Sequence, residues 1–335
     1  MNRFQLLLAA GIAASLPALA SLSCGRESLV RESQIAMGTV VEITVSASSE
    51  REARAAIREA FEEMQRIDDL MSSHRPESVI SQVNREGFGR RVVVGNEVFQ
   101  VVRDAVAIGE GSGGAFDITL WHLSRLWGFE KEGKVPSAGA IRSLVEHVGY
   151  RQVVLDEATL SVGLKNASVG IDLGGIAKGW AVDRAIARLR ARGVRNAIVD
   201  AGGDLRVIGG RPGKGTWRIG VQHPRESDRL LLTFDLSDTA IVTSGDYERF
   251  FTEGGVRYHH ILDPATGMPA QGCQSVTVLA PTAAEADACA TAAFVLGPER
   301  GLAFLRARPG VRGVIVGADA TLHWTDEGLE RMARR

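Results

Sequence analysis

The spacing of apolar residues indicates helices in the first half of the chain, after one short strand. Residues 40–45 alternate between apolar and polar side chains, as expected of a half-buried strand. Apolar residues then recur every three or four positions, which predicts an amphipathic helix. Its buried face is expected to hold Ala53, Ile57, Ala60, Phe61, Met64, Ile67 and Met71. The same spacing predicts two further helices, around residues 98–109 and 141–148.

From residue 153 onward the pattern becomes typical of strands. Two helices interrupt them: one over 177–192, and one that begins at Thr282 with Glu285 in a capping box and ends near Gly297. This mixed order predicts an α+β fold, with helices packed on a largely antiparallel sheet. The predicted strands are residues 152–155, 167–173, 197–200, 217–221, 230–236, 240–243, 276–280 and 311–316.

Composition narrows the functional classes. The chain has 335 residues, of which 45% are hydrophobic and 24% charged, and its net charge is -1. These proportions are ordinary for a globular protein large enough for one core or two lobes. Acidic and basic residues are mixed throughout, so no basic surface for nucleic acid is expected.

The N-terminus has the pattern of a secretion signal. Arg3 precedes an apolar run over 6–19 that is too short to remain as a membrane helix. Residues 18–20 (ALA) form a small-x-small cleavage site, and residues 21–24 (SLSC) form an imperfect lipoprotein box. We therefore expect residues 1–24 to be a signal segment, with Cys24 as a lipid-anchored first residue at the periplasmic face of the inner membrane. Cleavage after Ala20, with Cys24 as an ordinary residue, is the alternative.

Two cysteines remain after export. A disulfide between Cys273 and Cys289 is possible in an exported protein, but nothing in the sequence requires it. Cys289 is better explained as a small buried apolar residue on the helix that begins at Thr282.

Paired glycines follow an apolar run at two places. Residues 170–179 have the sequence GIDLGGIAKG, and residues 200–204 have the sequence DAGGD. Glycines let backbone amides approach an anion closely, and the positive end of a following helix adds to the attraction. Lys178 would reach the same anion as a point charge. Asp172 could alternatively serve only to cap the helix that follows.

A histidine precedes a rigid turn at residues 260–267. Pro264 restricts Asp263 to extended geometry, and the next residues close a turn. His260, held in this position, could accept a proton from a hydroxyl group. His259 is an alternative base, and turn formation explains Asp263 as well as a direct role does.

Two oxygen-bearing residues share one face of the helix that begins at Thr282. Asp287 and Thr291 are four residues apart. A carboxylate and a hydroxyl are hard donors suited to Mg²⁺, whereas no Cys/His cluster indicates zinc. From spacing alone, a solvated Asp287 and a Thr291 bonded to the preceding turn would explain the pattern more simply. With His260, the set is what metal-assisted chemistry on a phosphate ester requires.

In these segments the chain closely resembles the ApbE family, the FAD:protein FMN transferases. The resemblance spans residues 36 to 297, nearly all of a domain that we place at 30–335, and implies an FAD site between two lobes. Seven matching segments occur in one order, at residues 36–39, 114–119, 170–179, 200–204, 243–247, 260–267 and 286–297.

The resemblance also implies roles for individual residues. Asp287, Thr291 and the backbone carbonyl of Gly175 would bind Mg²⁺, and His260 would act as the base. No GxGxxG follows the first strand, so a Rossmann type of FAD binding is not predicted. The residues that match FAD-contacting positions are Met37, His74, Ala115, Phe116, Asp117, Asp172, Lys178 and Ile261.

The implied reaction is transfer of FMN from FAD to a Ser or Thr hydroxyl of an acceptor protein, with release of AMP. The acceptor would be an exported domain of a redox protein. Two alternatives remain open. Water could replace the hydroxyl, which would make the protein an FAD pyrophosphatase, or the protein could be a lipoprotein that only carries FAD. The presence of His260 beside both proposed metal ligands argues against simple carriage.

Overall fold

An eight-stranded antiparallel sheet organises the protein. The computed structural model describes residues 27–129 and 133–334. The strands are β1 (Ser28–Ala36), β2 (Thr39–Ala47), β3 (Val92–Val93), β4 (Val153–Asp156), β5 (Ser161–Leu164), β6 (Asn196–Ala201), β7 (Asp204–Ile208), β8 (Trp217–Gln222), β9 (Leu230–Leu236), β10 (Thr239–Gly245), β11 (Phe250–Glu253), β12 (Val256–His259), β13 (Cys273–Ala280), β14 (Arg312–Gly317) and β15 (Leu322–Trp324). The main sheet has the order β1-β2-β6-β7-β10-β13-β14-β15, and each neighbouring pair is antiparallel.

Three long helices cover one face of this sheet. The helices are α1 (Glu50–Met71), α2 (Val79–Glu86), α3 (Gly95–Gly111), α4 (Trp121–Trp127), α5 (Ala138–Val145), α6 (Ala177–Ala191), α7 (Ala283–Arg306) and α8 (Glu327–Met332). Helix α6 packs against both α1 and α7, and α7 lies across β10, β13 and β14. The stripe predicted for α1 is buried in full, which confirms that helix and its orientation. The α+β prediction is therefore also confirmed.

The opposite face of the sheet carries a second core. Because side chains alternate along a strand, Leu205 and Val207 of β7 face this second core, with Ile241 of β10. The β8–β9 hairpin covers them with its buried Phe234. On β7 Asp204, which precedes Leu205, consequently belongs to the helix-covered face, where the candidate site lies.

A third apolar cluster joins α4 and α5 to the β11–β12 hairpin. Trp127 of α4 is fully buried, and its indole nitrogen donates to the carbonyl of Gly267. Its ring stacks on Phe129 and lies beside Phe251 and Tyr258 of the hairpin. This cluster holds the hairpin against the turn that follows His260.

Several predicted elements differ from those in the structure. Residues 167–173 are not a strand and form only an isolated parallel bridge at Gly170. The helix expected over 141–148 ends at Val145. Gly202 and Gly203 lead into β7 instead of a helix, so no helix terminus faces that turn.

Helix α7 begins where the capping box predicts and is interrupted at Gly297. Thr282 accepts a hydrogen bond from the backbone N–H of Glu285. Gly297 has φ 77° and is followed by Pro298, but helical structure resumes and continues to Arg306. The helix is apolar and long enough to cross a membrane, yet its packing on α6 and the main sheet identifies it as a core helix.

Cys273 and Cys289 are both buried and unpaired. Cys273 lies on β13, and Cys289 accepts a hydrogen bond from Arg308 Nε at 3.3 Å. The interpretation of Cys289 as a small buried residue is thereby confirmed. The signal segment and Cys24 lie outside the described residues.

Candidate functional site

The centre of the candidate site is a buried cluster of one lysine and two carboxylates. Lys178, in the first turn of α6, donates from Nζ to Asp204 Oδ2 at 2.5 Å. Asp287 of α7 shares a hydrogen bond with the Asp204 carboxyl and accepts another from the backbone N–H of Gly179 at 3.2 Å. Asp204 and Asp287 are 2% and 3% exposed. Three elements distant in sequence thus place ionisable groups in direct contact.

The hydrogen bond between Asp287 and Asp204 needs a proton on one carboxyl, so the cluster gains an excess of negative charge only when that proton leaves. Burial raises the pKa of Asp287 well above its usual range, and the neighbouring Asp204 raises it further. Burial would lower the pKa of Lys178, but the attraction of Asp204 and Asp287 outweighs it, and the pKa is raised. With both carboxyls ionised, two carboxylates would share one ammonium, so a further cation here would favour release of the shared proton.

The close approach of α6 and α7 depends on a glycine. A Cβ on Gly179 would lie 2.3 Å from the carbonyl oxygen of Ala283, so no larger residue fits without moving a helix. Asp183, one turn further along α6, accepts hydrogen bonds from the N–H groups of Ala283 and Ala284 at 2.9 and 3.0 Å. Helix α6 thus supplies caps for the start of α7 and fixes the position of Asp287.

Thr291 lies one turn beyond Asp287 and faces the glycine-rich turn before α6. A Cβ on Gly175 would be 3.5 Å from Thr291 Oγ1 and 3.0 Å from the ring of Phe116. Thr291 Oγ1 also lies 3.3 Å from Ser244 Oγ at the end of β10. The structure therefore brings together three residues that the resemblance assigned as metal ligands or flavin contacts: Gly175, Thr291 and Phe116.

These residues fit a hard divalent cation. A carboxylate, a hydroxyl and the backbone of a glycine offer oxygen donors, and Mg²⁺ takes few protein ligands and keeps other positions for phosphate or water. The excess negative charge around Asp287 adds a second reason. Within residues 27–129 and 133–334, no three His, Cys, Asp or Glu side chains are grouped as a metal site.

His260 follows β12 and lies beside the cluster, whereas His259 is built into the core. Burial, Arg249, His259 and Lys178 lower the pKa of His260 to about 3. Its Nδ1 is buried and has no hydrogen-bond partner in the described part of the chain, and the residue as a whole is half-buried. His259 Nε2 instead lies 2.9 Å from the carbonyl of Ala270, and its ring packs on Phe294. Burial lowers the pKa of both histidines, and the bond of His259 to Ala270 leaves His260 as the candidate base.

Two predicted flavin contacts flank the site. Met37 has φ 53° at the tip of the β1–β2 hairpin, and the adjoining Thr39 packs against Gly202, so the tip reaches the β6–β7 turn. His74 is exposed and lines a cavity of about 170 Å³ with Ser73 and Trp121.

Polar groups in this cavity lack partners. Trp121 Nε1 and Ser73 Oγ are buried, and neither has a hydrogen-bond partner among the described residues. Arg125 also lines the cavity and lies over the Trp121 ring, 5.0 Å from its centroid. The Trp121 and Ser73 donors, which lack acceptors, are suited to a polar ligand in this cavity.

Other predicted contacts have their side chains engaged within the protein. Asp117 accepts hydrogen bonds from both the N–H and the hydroxyl of Thr119 and from the N–H of Tyr150. Asp172 accepts from the N–H of Gly174 and does not cap α6. A contact with FAD from Ala115, Phe116 or Asp117 would therefore fall mainly to the backbone.

The turn after His260 is organised by its own residues. The carboxylate of Asp263 accepts from the N–H of Ala265 and the hydroxyl of Thr266, which supports turn formation as its role. The carbonyl of Ile261 accepts from the N–H of Ala270, so the Ile261 carbonyl is already engaged in the turn.

Sequence reasoning left four residues of the site without a role. Asp204 and Ser244 lie within matching segments, and alternation along β7 and β10 could have placed them on the helix side. Asn84 bonds both backbone groups of Ile171 and so holds the segment before Asp172, a contact that no local pattern predicts. Glu248 lies close enough to Lys178 and Asp204 to feel their charges, and burial is the main cause of its raised pKa.

Known proteins resemble this chain along most of its length. The model of the ApbE family matches residues 37–315. An FAD:protein FMN transferase of Treponema pallidum is 36% identical over 319 residues, covering 89% of this chain and 88% of its own. The ApbE protein of Thermotoga maritima superposes with a TM-score of 0.85 at 38% identity, covering 92% of this chain and 100% of its own. The flavin transferase ApbE of Vibrio cholerae superposes with a TM-score of 0.79 at 29% identity, covering 91% of this chain and 99% of its own.

Proposed function

Because this chain belongs to the ApbE family, we propose that it is an FAD:protein FMN transferase. It moves the FMN part of FAD to a Ser or Thr hydroxyl of an acceptor protein. The hydroxyl oxygen forms a bond to the FMN-side phosphorus, the bond from that phosphorus to the AMP oxygen breaks, and AMP leaves. The products are an acceptor with FMN in phosphodiester linkage, AMP and one proton.

The observation that carries this proposal is the position of His260 beside the cluster of Lys178, Asp204 and Asp287. A neutral imidazole can take the proton from the attacking hydroxyl through an unprotonated ring nitrogen. Lys178 brings positive charge to the same place, which suits a pyrophosphate. In the FAD-free protein the low pKa of His260 makes it a weak base. The negative charge of a bound pyrophosphate would raise that pKa towards the working range.

Mg²⁺ is the proposed cofactor, held by Asp287, Thr291 and the backbone carbonyl of Gly175. When bound, it neutralises charge on the pyrophosphate and stabilises the AMP that leaves. The charge excess around Asp287 and the contact between Thr291 and Gly175 support this assignment.

The cavity beside His74, of about 170 Å³, is the proposed contact for the pyrimidine edge of the isoalloxazine ring. The ring carries carbonyl oxygens on its pyrimidine edge, and the unpartnered Trp121 Nε1 and Ser73 Oγ are donors for such acceptors. Met37 at the β1–β2 tip would contribute an apolar contact to the same substrate.

The protein is proposed to act outside the cytoplasm, tethered by a lipid at Cys24. The support is the sequence of the first 24 residues, with Arg3, the apolar run and a small-x-small cleavage site. The acceptor would accordingly be an exported domain of a redox protein.

The test is incubation of the protein with FAD, Mg²⁺ and an exported redox domain as candidate acceptor, followed by mass spectrometry of the acceptor. We expect the mass of one phosphodiester-linked FMN and an equal amount of AMP. The His260→Gly variant is the control. FMN and AMP released without labelled acceptor would identify a pyrophosphatase instead, and unchanged FAD would identify a carrier.

A further inference from the structure

The first strand begins at the end of the main sheet that lies opposite the candidate site. Ser28, the first residue of β1, pairs with Ala47, whereas the other end of β1 reaches the hairpin tip at Met37. An extended strand advances about 3.3 Å per residue, so roughly 30 Å separate Ser28 from Met37. Strand β7 links the same two ends, since it begins at Asp204 in the site and ends at Ile208. We refer to the end of the sheet that contains Ser28 as the tether end.

Three exposed cations lie at the tether end. Arg195 immediately precedes β6, which is separated from β1 only by β2. Arg211 and Lys214 belong to the loop between β7 and β8. This loop is held against the start of β6, because the N–H of Gly210 donates to Asn196 Oδ1 at 3.0 Å. Arg195, Arg211 and Lys214 together form a surface that we name the basic corner.

The charges of the basic corner are not compensated within the protein. Among residues 27–129 and 133–334, none of its three side chains has an ion-pair partner. Two other arginines nearby are paired, Arg190 with Asp238 and Arg192 with Glu59. Three cations therefore face solvent without counter-charges of their own, on a chain whose net charge is -1.

Carboxylates near the tether end do not cancel this charge. Asp235 is already paired with Arg218, whose hydrogen bond is the main cause of its lowered pKa, and Lys214 adds only a small part. Glu50 and Glu52 begin α1 on the helix-covered face, whereas the loop between β7 and β8 leads into the hairpin on the opposite face. The unpaired positive charge is thus confined to one side of the tether end.

A lipid at Cys24 would hold the tether end close to a bilayer. Cys24 precedes Ser28 by four residues, and an extended chain spans at most about 3.6 Å per residue, so Ser28 would stay within about 14 Å of the anchored residue. Neighbouring strands are about 4.8 Å apart, which places the start of β6 about 10 Å from β1. The basic corner would consequently be within reach of the lipid headgroups.

We propose that the basic corner binds anionic lipid headgroups and thereby directs the candidate site away from the bilayer, towards the exported acceptor. This inference rests on the proposed lipid tether and does not depend on the chemistry of FMN transfer. Each Lys or Arg near an anionic membrane surface contributes about fivefold to binding, so three contribute on the order of 100-fold. The lipid would supply attachment, and the basic corner would supply orientation.

The test uses the full-length Cys24→Ala protein, so that binding reports the protein surface without the lipid. Its sedimentation with vesicles of phosphatidylcholine is compared with its sedimentation with vesicles of phosphatidylcholine and phosphatidylglycerol in equal parts. The test variant carries Arg195→Gln, Arg211→Gln and Lys214→Gln. The control variant carries the same change of charge at three exposed residues of other elements that have no ion-pair partner in the described part of the chain, as Arg142→Gln, Lys165→Gln and Arg300→Gln.

We expect the Cys24→Ala protein to bind the phosphatidylglycerol vesicles on the order of 100-fold better than the test variant. The control variant should bind like the Cys24→Ala protein, and added salt should weaken binding because exposed charges are screened. Equal binding by the two triple variants, or equal binding to both kinds of vesicle, overturns the inference. Inorganic phosphate should compete no better than chloride at the same ionic strength. Stronger competition by phosphate would identify a site for a small anion and overturn the inference as well.

A second measurement reports the orientation of the lipid-anchored protein. A fluorophore is attached at Ser237→Cys, in the turn that contacts the β7–β8 loop, or at Val40→Cys near the hairpin tip. Both positions are exposed, whereas Cys273 and Cys289 are buried. Energy transfer to a headgroup-labelled lipid should be stronger from Ser237→Cys in anionic vesicles, and the test variant should reduce this difference. Stronger transfer from Val40→Cys would place the candidate site against the bilayer and overturn the inference.

The tether and the transferase activity are judged separately. An unaltered protein without lipid would contradict the tether and the orienting role, and the vesicle assay would still decide whether the basic corner binds anionic lipid. FMN attachment by the Cys24→Ala protein in solution, with no vesicles present, tests the transferase proposal alone.

Discussion

Replacement of Lys178 by Met tests the charge imbalance at the centre of the site. The change removes the ammonium that lies 2.5 Å from Asp204 and keeps a chain of similar length. Asp204 and Asp287 would then face each other with no cation. Loss of one partner from a buried pair costs about 3–5 kcal/mol, because the remaining charge is neither solvated nor compensated.

The pH dependence follows from the direction of the Asp287 pKa. Its folded-state pKa is already raised, and loss of Lys178 would raise it further. A carboxyl group with a raised folded pKa stabilises the protein fully below the unfolded pKa of about 3.8, and this stability is lost as the pH rises through the folded value. The destabilisation by Lys178→Met should therefore be larger at pH 7 than at pH 4.

The assay is urea unfolding at pH 7 and pH 4, with a chelator present and then with Mg²⁺. Addition of Asp204→Asn to Lys178→Met removes one of the two carboxylates and should recover at least about 1 kcal/mol. Mg²⁺ should stabilise Lys178→Met more than the unaltered protein. Arg218→Met, at an exposed ion pair, should show little change. If Lys178→Met unfolds like the unaltered protein, or the second substitution recovers nothing, the cluster is not held by these charges.

Five other substitutions test the remaining residue assignments. His260→Gly should keep FAD affinity while transfer falls on the order of 10²- to 10⁴-fold; a collapse of FAD affinity with normal turnover per bound FAD would contradict the role of base. Asp287→Ala should abolish Mg²⁺-dependent turnover, and Thr291→Val should reduce it less. Full activity of Asp287→Ala at ordinary Mg²⁺ would contradict the metal assignment. Gly179→Ala should destabilise by about 1–3 kcal/mol in urea unfolding, because its Cβ meets the backbone of α7; unchanged stability would show that the helices can separate. Cys24→Ala should release a soluble exported form. If cell fractionation finds the unaltered protein already in the soluble exported fraction, the lipid anchor is contradicted.

A regular spacing of apolar residues predicted the elements that bury only one of their faces. The stripe of α1 is a clear example, since each of its predicted apolar residues faces the core. Thr282 and Glu285 likewise predicted the start of α7, because a capping box is local chemistry. Strand β7 was missed although Asp204 and Arg206 alternate with its apolar residues, because a run of only five residues is a short signal.

The sequence predicted which residues the candidate site contains better than it predicted the contacts among them. Spacing placed Asp287 and Thr291 on one face of a helix, and the family resemblance supplied the role of His260. The contact among Lys178, Asp204 and Asp287 could not be derived from the sequence, because it depends on how α6, α7 and the end of β7 meet. The saturated carboxylate of Asp117 was equally invisible, since its partners include the distant Tyr150.

The architecture of α7 explains how a polar site can form within an apolar layer. Along α7 nearly all residues around Asp287 are alanines, and together with Gly179 they let α6 approach closely. That approach brings the N–H of Gly179 and the ammonium of Lys178 to Asp287 and excludes water from the cluster. Burial strengthens each interaction and also raises the free-energy cost of the uncompensated second carboxylate. The fold therefore holds the second carboxylate at a fixed position. A bound cation would compensate its charge, and the free energy so gained would contribute to cation affinity.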